Sequence, residues 1–244
     1  MVGKVSAVDY EATWSYPKEQ DGWFLAHNAL RADLAALQAM LDNFDTQLKA
    51  GTKLEPAQQK AATRFLDSFL KFLHHHHHNE DDIVTPYLAT RCQMPDKISA
   101  DHKEMEVLLV KFEGEARKLL AATNLEVQMR LLLGTKEAFV AFHQLSLEHL
   151  REEEEGALPL MRKHFTHSEI KKNLVAKISR SMTGEDVGVF LRPMTKEQRR
   201  AFAKREGIPF FIRWILFRQA AKHERKVWQP FQRECLPLGA ARSA

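Results

Sequence analysis

A His-x-x-x-Glu pair followed by a proline occurs twice in this chain, at His76, Glu80 and Pro86 and again at His149, Glu153 and Pro159. Spacing of four puts an imidazole and a carboxylate on one face of a helix, about one turn apart. A shift of 73 residues superimposes the two copies and places Phe69 on Phe142 and Phe72 on Leu145. A shift of 75 places Trp23 on Ile98, His27 on His102, Leu30 on Met105, Leu34 on Leu109 and Leu37 on Phe112. A repeat on this scale predicts two helix pairs related by a pseudo-twofold axis, each supplying two histidines and one glutamate.

Apolar positions between these marks recur at helical spacing. Trp23, Leu30, Leu34, Leu37, Leu41 and Leu48 form a first stripe, with Asp21 as cap and Gly51 as stop. Pro56 opens a second helix to about Thr90; Pro95 and the cap candidate Ser99 introduce a third to about Ala122; a fourth runs from about Leu125 to His164. Connections are short and no strand pattern occurs, so the expected fold class is all-α: an up-down-up-down four-helix bundle with an internal pseudo-twofold repeat over residues 21–165. Residues 1–20 lack a period and are expected to lie as a surface arm. Residues 166–244, with shorter helical patterns, are expected to form a basic helical extension packing on the bundle. Pro86 and Pro159 should each kink or locally unwind the last turn or two of their helices.

The run His74–His78 reads at first as a low-complexity metal tract. At about 100° per residue, Phe65, Phe69, Phe72, Glu80, Ile83 and Tyr87 fall within about 40° of His76. Periodicity therefore assigns only His76 to the core face and leaves the other four as surface neighbours. The same geometry around His149 collects Ala138, Phe142, Leu145, Glu153 and Leu160.

Two buried carboxylates must be protonated, paired or metal-bound, since each would otherwise cost several kcal/mol. Metal binding accounts for His27, His76, Glu80, His102, His149 and Glu153 together. Imidazole and carboxylate donors without a cysteine suit iron, zinc or manganese. Six ligands divide into two histidines per ion with both glutamates bridging, which leaves room for an oxo or hydroxo bridge and an exchangeable position. Asp81, Asp82, Glu152, Glu154 and Glu155 read as solvated faces, and His143, His164, His167 and His223 lack a repeat mate.

Over roughly residues 23–164 these residues resemble the hemerythrin-like HHE cation-binding domains, on His27, His76-x-x-x-Glu80, His102 and His149-x-x-x-Glu153. The resemblance implies a non-haem di-iron centre inside an antiparallel bundle, with His27 and His76 on one iron, His102 and His149 on the other, and both glutamates bridging. Oxygen carriers of that family have a further histidine one turn before the third-helix ligand. Ile98 stands there in this chain, which leaves one iron under-coordinated and is closer to the pattern of domains linked to iron and oxygen sensing.

Charge divides the chain, with a net −8 over residues 1–160 and +12 over residues 161–244. The basic part offers a surface for a protein partner or an anionic surface; no nucleic-acid-binding module accompanies it. Ile208–Phe217 is apolar nearly all round and is followed by Arg218, Lys222, Arg225 and Lys226. Two distant cysteines, no signal-peptide pattern and no membrane span lead to the expectation of a soluble cytoplasmic or nuclear protein. The functional expectation is a protein that binds iron and dioxygen, in iron homeostasis or redox sensing. The alternatives are a di-iron enzyme acting on peroxide or nitric oxide and a metal-free helical adaptor.

Overall fold

The structure is a computed structural model and describes residues 9–237, which form helices and turns without a strand. The core lies among α1 (Gly22–Lys49), α2 (Pro56–Asn79), α4 (Asp96–Ala121) and α5 (Leu125–Glu152), with a short α3 (Thr85–Leu88) continuing the line of α2. Residues singled out in the sequence fix both ends of α1 and the start of α2. Asp21 accepts the Trp23 N–H at 3.0 Å, and Gly51, at φ 81°, turns the chain out of α1 through the left-handed region. Pro56 opens α2, and Gln58 accepts the Glu55 N–H at 2.9 Å. Helix α4 starts at Asp96, three residues before the expected cap at Ser99.

Helix α1 packs on α2 and α5, and α4 packs on the same two. Between them Phe44, Phe65, Phe69, Phe112, Phe139 and Phe142 are all 1% exposed or less. Phe112 stacks on Phe142, and Phe69 meets the same ring edge-on.

Both prolines act in a way the sequence reading only partly anticipates. Neither helix unwinds. Each instead widens into a π turn, Glu80–Val84 before Pro86 and Glu153–Ala157 before Pro159. Thr85 donates its N–H five residues back to the Glu80 carbonyl, and Leu158 does the same to Glu153. A proline has no N–H for the carbonyl four residues behind it and its ring crowds that carbonyl; one extra residue in the turn relieves both faults. Beyond the second π turn, α6 (Leu158–His164) completes the line of α5.

The N-terminal stretch, expected to lie as a surface arm, is anchored over residues 9–20. Trp14 and Tyr16 are buried. The Trp14 indole donates to the Phe165 and Arg162 carbonyls, and the Arg162 guanidinium stacks over the Trp14 ring and donates to the Tyr16 carbonyl. Two aromatics in an aperiodic segment leave no helical signature, yet their area is enough to seat it.

After α6 come α7 (His167–Ile170), α8 (Ala176–Ser181), α9 (Gly184–Leu191), α10 (Lys196–Arg205), α11 (Phe210–His223) and α12 (Gln229–Cys235). Helix α9 has no counterpart among the sequence expectations. It packs on α1, α2 and α11, and just beyond it Arg192 pairs with buried Asp33 of α1. Gly188 passes so close to His223 that a Cβ there would lie 2.2 Å from the His223 Cβ. Helix α12 lies on α2, with Phe231 fully buried and stacked on Phe65 at 3.8 Å between ring centres.

Phe231→Ala removes that stacked ring from a site with no exposure. The expected loss of about 3–5 kcal/mol would appear as a lower urea midpoint for the whole helical signal by circular dichroism; a midpoint unchanged from wild type would mean that α12 contributes nothing to the main core.

Candidate metal centre

The six residues singled out in the sequence converge where the two π turns face each other. Their donor atoms fall into two groups that share Glu80, within each of which the atoms lie no more than 4.8 Å apart. His27, His76, Glu80 and Glu153 form the first group; His77, Glu80, His102 and His149 form the second. In the first, His27 Nε2 lies 3.2 Å from Glu153 Oε2 and His76 Nε2 lies 3.0 Å from Glu80 Oε1. In the second, His102 Nε2 lies 3.6 Å from Glu80 Oε2 and 3.0 Å from His149 Nε2. Donors about 2.0–2.2 Å from a common ion sit about 3–3.5 Å from one another, so both groups have the spacing of a coordination shell. Each carboxylate reaches both groups, Glu80 through its two oxygens and Glu153 through Oε2, which is 3.6 Å from His149 Nε2.

His77 belongs to this set although periodicity left it outside. Its ring stacks on His102 at 4.5 Å, so consecutive histidines of α2 face the two donor groups, His76 the first and His77 the second. Ile98 occupies the position where the resemblance calls for a further histidine, and His77 supplies the second group with an imidazole from another helix. The other three of the run stay outside the centre: His74 and His78 are exposed, and His75 bonds to Asp186 of α9.

Asp81 and Glu154, both read from sequence as solvated, hold histidines in place; Asp81 is indeed about half exposed, whereas Glu154 is buried. Glu154 is buried and accepts from His27 Nδ1 at 2.9 Å while Arg31 grips both its oxygens. Asp81 accepts from His102 Nδ1, also at 2.9 Å. A carboxylate only accepts, so Nδ1 carries a proton in both rings and Nε2 is the nitrogen that faces inward. Each acid directly follows a glutamate of the centre and stands at the start of a π turn, and each reaches the histidine of the other helix pair. The sequence carried this signal, an acid after both Glu80 and Glu153 in repeat register. Straight-helix geometry hid it by turning those positions away. Trp23 is a further addition; its indole donates to Glu80 Oε1 at 2.6 Å.

The interior is short of partners. His27 Nε2, His76 Nε2, Glu80 Oε2 and both Glu153 oxygens are buried without a well-formed hydrogen bond. Such atoms cost on the order of 1–3 kcal/mol apiece and more when charged, and cations between the groups would satisfy all of them at once. The residues present therefore fit a metal. Protons partly stand in for it. Burial and the Glu80 charge push Glu153 up to about 8. Burial works against a charged His27, but its bonds to Glu153, Glu154 and Glu80 win and raise it well above the usual imidazole range. Burial likewise opposes the Glu80 charge, and His76 and His27 overcome it, holding Glu80 well below the carboxylate range. Burial depresses His149 to about 3 and lowers His77, so both are neutral with lone pairs available.

The family model described as the hemerythrin HHE cation binding domain matches residues 20–161. No curated protein and no solved structure matches the chain.

Two outcomes are expected. A cation entering the first group displaces protons from His27 and Glu153, so affinity for cobalt(II) or zinc(II) falls as pH drops below about 8; titration calorimetry in buffers of different ionisation enthalpy should register proton release, and a flat pH profile would contradict it. Asp81→Asn and Glu154→Gln should each weaken metal binding by about 10–100-fold with the helical signal preserved, measured by competition with a chromophoric chelator.

Proposed function

The chain belongs to the hemerythrin HHE cation-binding family, and on that premise we propose that it is a non-haem di-iron protein that binds oxygen and works in iron, oxygen or redox sensing. In this reading α1, α2, α4 and α5 form an up-down-up-down bundle of two repeats over residues 21–165. The matched positions of the two π turns, 73 residues apart, support the repeat. The observation that carries the metal assignment is the convergence of histidine and glutamate donors on two adjacent points, with His27 Nε2, His76 Nε2, Glu80 Oε2 and both Glu153 oxygens buried and unpartnered.

His27 and His76 would hold one ion, and His77, His102 and His149 the other, with Glu80 and Glu153 shared. Bound iron supplies a redox couple and an exchangeable coordination position. The chain's own residues set the surroundings. Glu154 and Asp81 fix the His27 and His102 rings with Nε2 toward the metal position, and the Trp23 indole steadies the shared Glu80. Beside the second group, a cavity of about 10 Å³ has His77 and His149 in its wall and Leu34, Leu73, Met105 and Phe142 around it. That volume is at the scale of one water-sized molecule, and the lining favours a small uncharged one. It disfavours a charged or larger ligand at that point.

Protein purified without a metal-affinity step, loaded anaerobically with iron(II) and then exposed to oxygen, should carry about two irons per chain and develop near-ultraviolet charge-transfer absorption that His149→Ala loses. Absence of iron uptake by the wild type would end this reading.

A further inference from the structure

Helix α11 presents a surface that the metal centre does not use. Phe210, Phe211, Trp214 and Ile215 are 78, 64, 57 and 44% exposed, a density of bare apolar side chains that marks an interaction site. They fill the first turns of the helix, at the corner where Gly207, at φ 63°, and Pro209 lead the chain out of α10. Steps of three and four then carry the same face through the exposed Arg218, Lys222 and Arg225. The face thus grades from aromatic to cationic along about 21 Å. Its far side is fixed: Ala220 and His223 are buried, and Leu216 and Phe217 pack with Val187, Leu191 and Met194. The aromatic tip stands on a rigid platform.

The charge beside it has one sign. No acid occurs from Gly207 to His223, while Arg213, Arg218 and Lys222 lie in that span and Arg225 and Lys226 follow. Among the described residues none of these five forms an ion pair, and the Arg218 guanidinium sits 5.2 Å from the Trp214 ring centre. With 14 residues α11 is far shorter than the roughly 30 Å of a bilayer interior, and no described helix is long and apolar enough to cross a membrane.

We propose that α11 docks the protein on an anionic lipid surface, lying in the interfacial plane with its aromatic tip below the headgroups and its cations at the phosphates. Charge complementarity selects this occupant. A protein partner would have to match a two-turn apolar patch and an uncompensated cationic run in one surface, whereas an anionic leaflet presents both layers side by side.

The test floats the full-length chain with vesicles of phosphatidylcholine alone or mixed with phosphatidylserine. Binding should be at least about tenfold tighter to the mixed vesicles and should weaken as salt rises. The double variant Phe211→Ser/Trp214→Ser should lose it, and Arg218→Glu/Lys222→Glu should reduce it about tenfold or more, both retaining the helical signal and cobalt uptake. Failure of the wild type to float with phosphatidylserine would overturn the proposal, as would variants that float like the wild type. Capture of an acidic protein without vesicle binding would also overturn the lipid assignment.

Discussion

Two carboxylates held in an apolar interior set the terms for everything around them. Glu80 and Glu153 are 3% and 1% exposed, and burying such groups bare would cost far more than the few kcal/mol by which a domain is stable. Every long helix therefore brings compensation to the same place. Helix α1 contributes Trp23, His27 and, through Glu154, Arg31; α2 contributes His76 and His77; α4 and α5 contribute His102 and His149. These groups must meet within about 3–4 Å, so the acids fix how closely the helices approach and at what rotation. The phenylalanine layers beneath supply the bulk of the burial, and the polar cluster selects the register.

Most of the architecture was legible because it follows a straight-helix period. His76 and Glu80 lie four apart on an apolar stripe, and the stripe recurs around His149 and Glu153, so burial and chemistry could be read together. The same rule failed where the helix stops being straight. Asp81 and Glu154 stand at the start of wider turns, and a wheel drawn at a constant angle points them at solvent. His77 was lost for a different reason: α2 lies between two donor groups, so adjacent histidines both face inward, each toward a different group. Trp14 and Tyr16 have no period to detect, and α9 shows its role only through its packing on α1, α2 and α11.

A third turn of the same kind separates cause from use. Glu224–Trp228 is also a π turn, with Gln229 donating back to the Glu224 carbonyl and Pro230 following. The spacing from glutamate to proline matches the other two, but Ala220 stands where they have a histidine, and none of the donors of the metal centre lies there. Proline follows three of the four π turns among the described residues, while Lys171–Val175 widens with no proline after it, so a proline favours the wider turn without being its sole cause. At Glu80 and Glu153 the wider turn lets two consecutive acids reach the histidines of the centre, the first as a donor and the second as a partner for Nδ1.

The crosswise hold of each half on the other's histidine bears on how the protein is made. His27 is oriented by Glu154, 127 residues later, and His102 by Asp81. A chain leaving the ribosome exposes His27 and the whole histidine run long before α5 exists. Until the second π turn has emerged, the first group lacks Glu153 and His27 lacks the acid that orients it. The centre is consequently among the last features of the domain to be finished during synthesis, and a half-made chain presents loose histidines to the cell in place of a selective site.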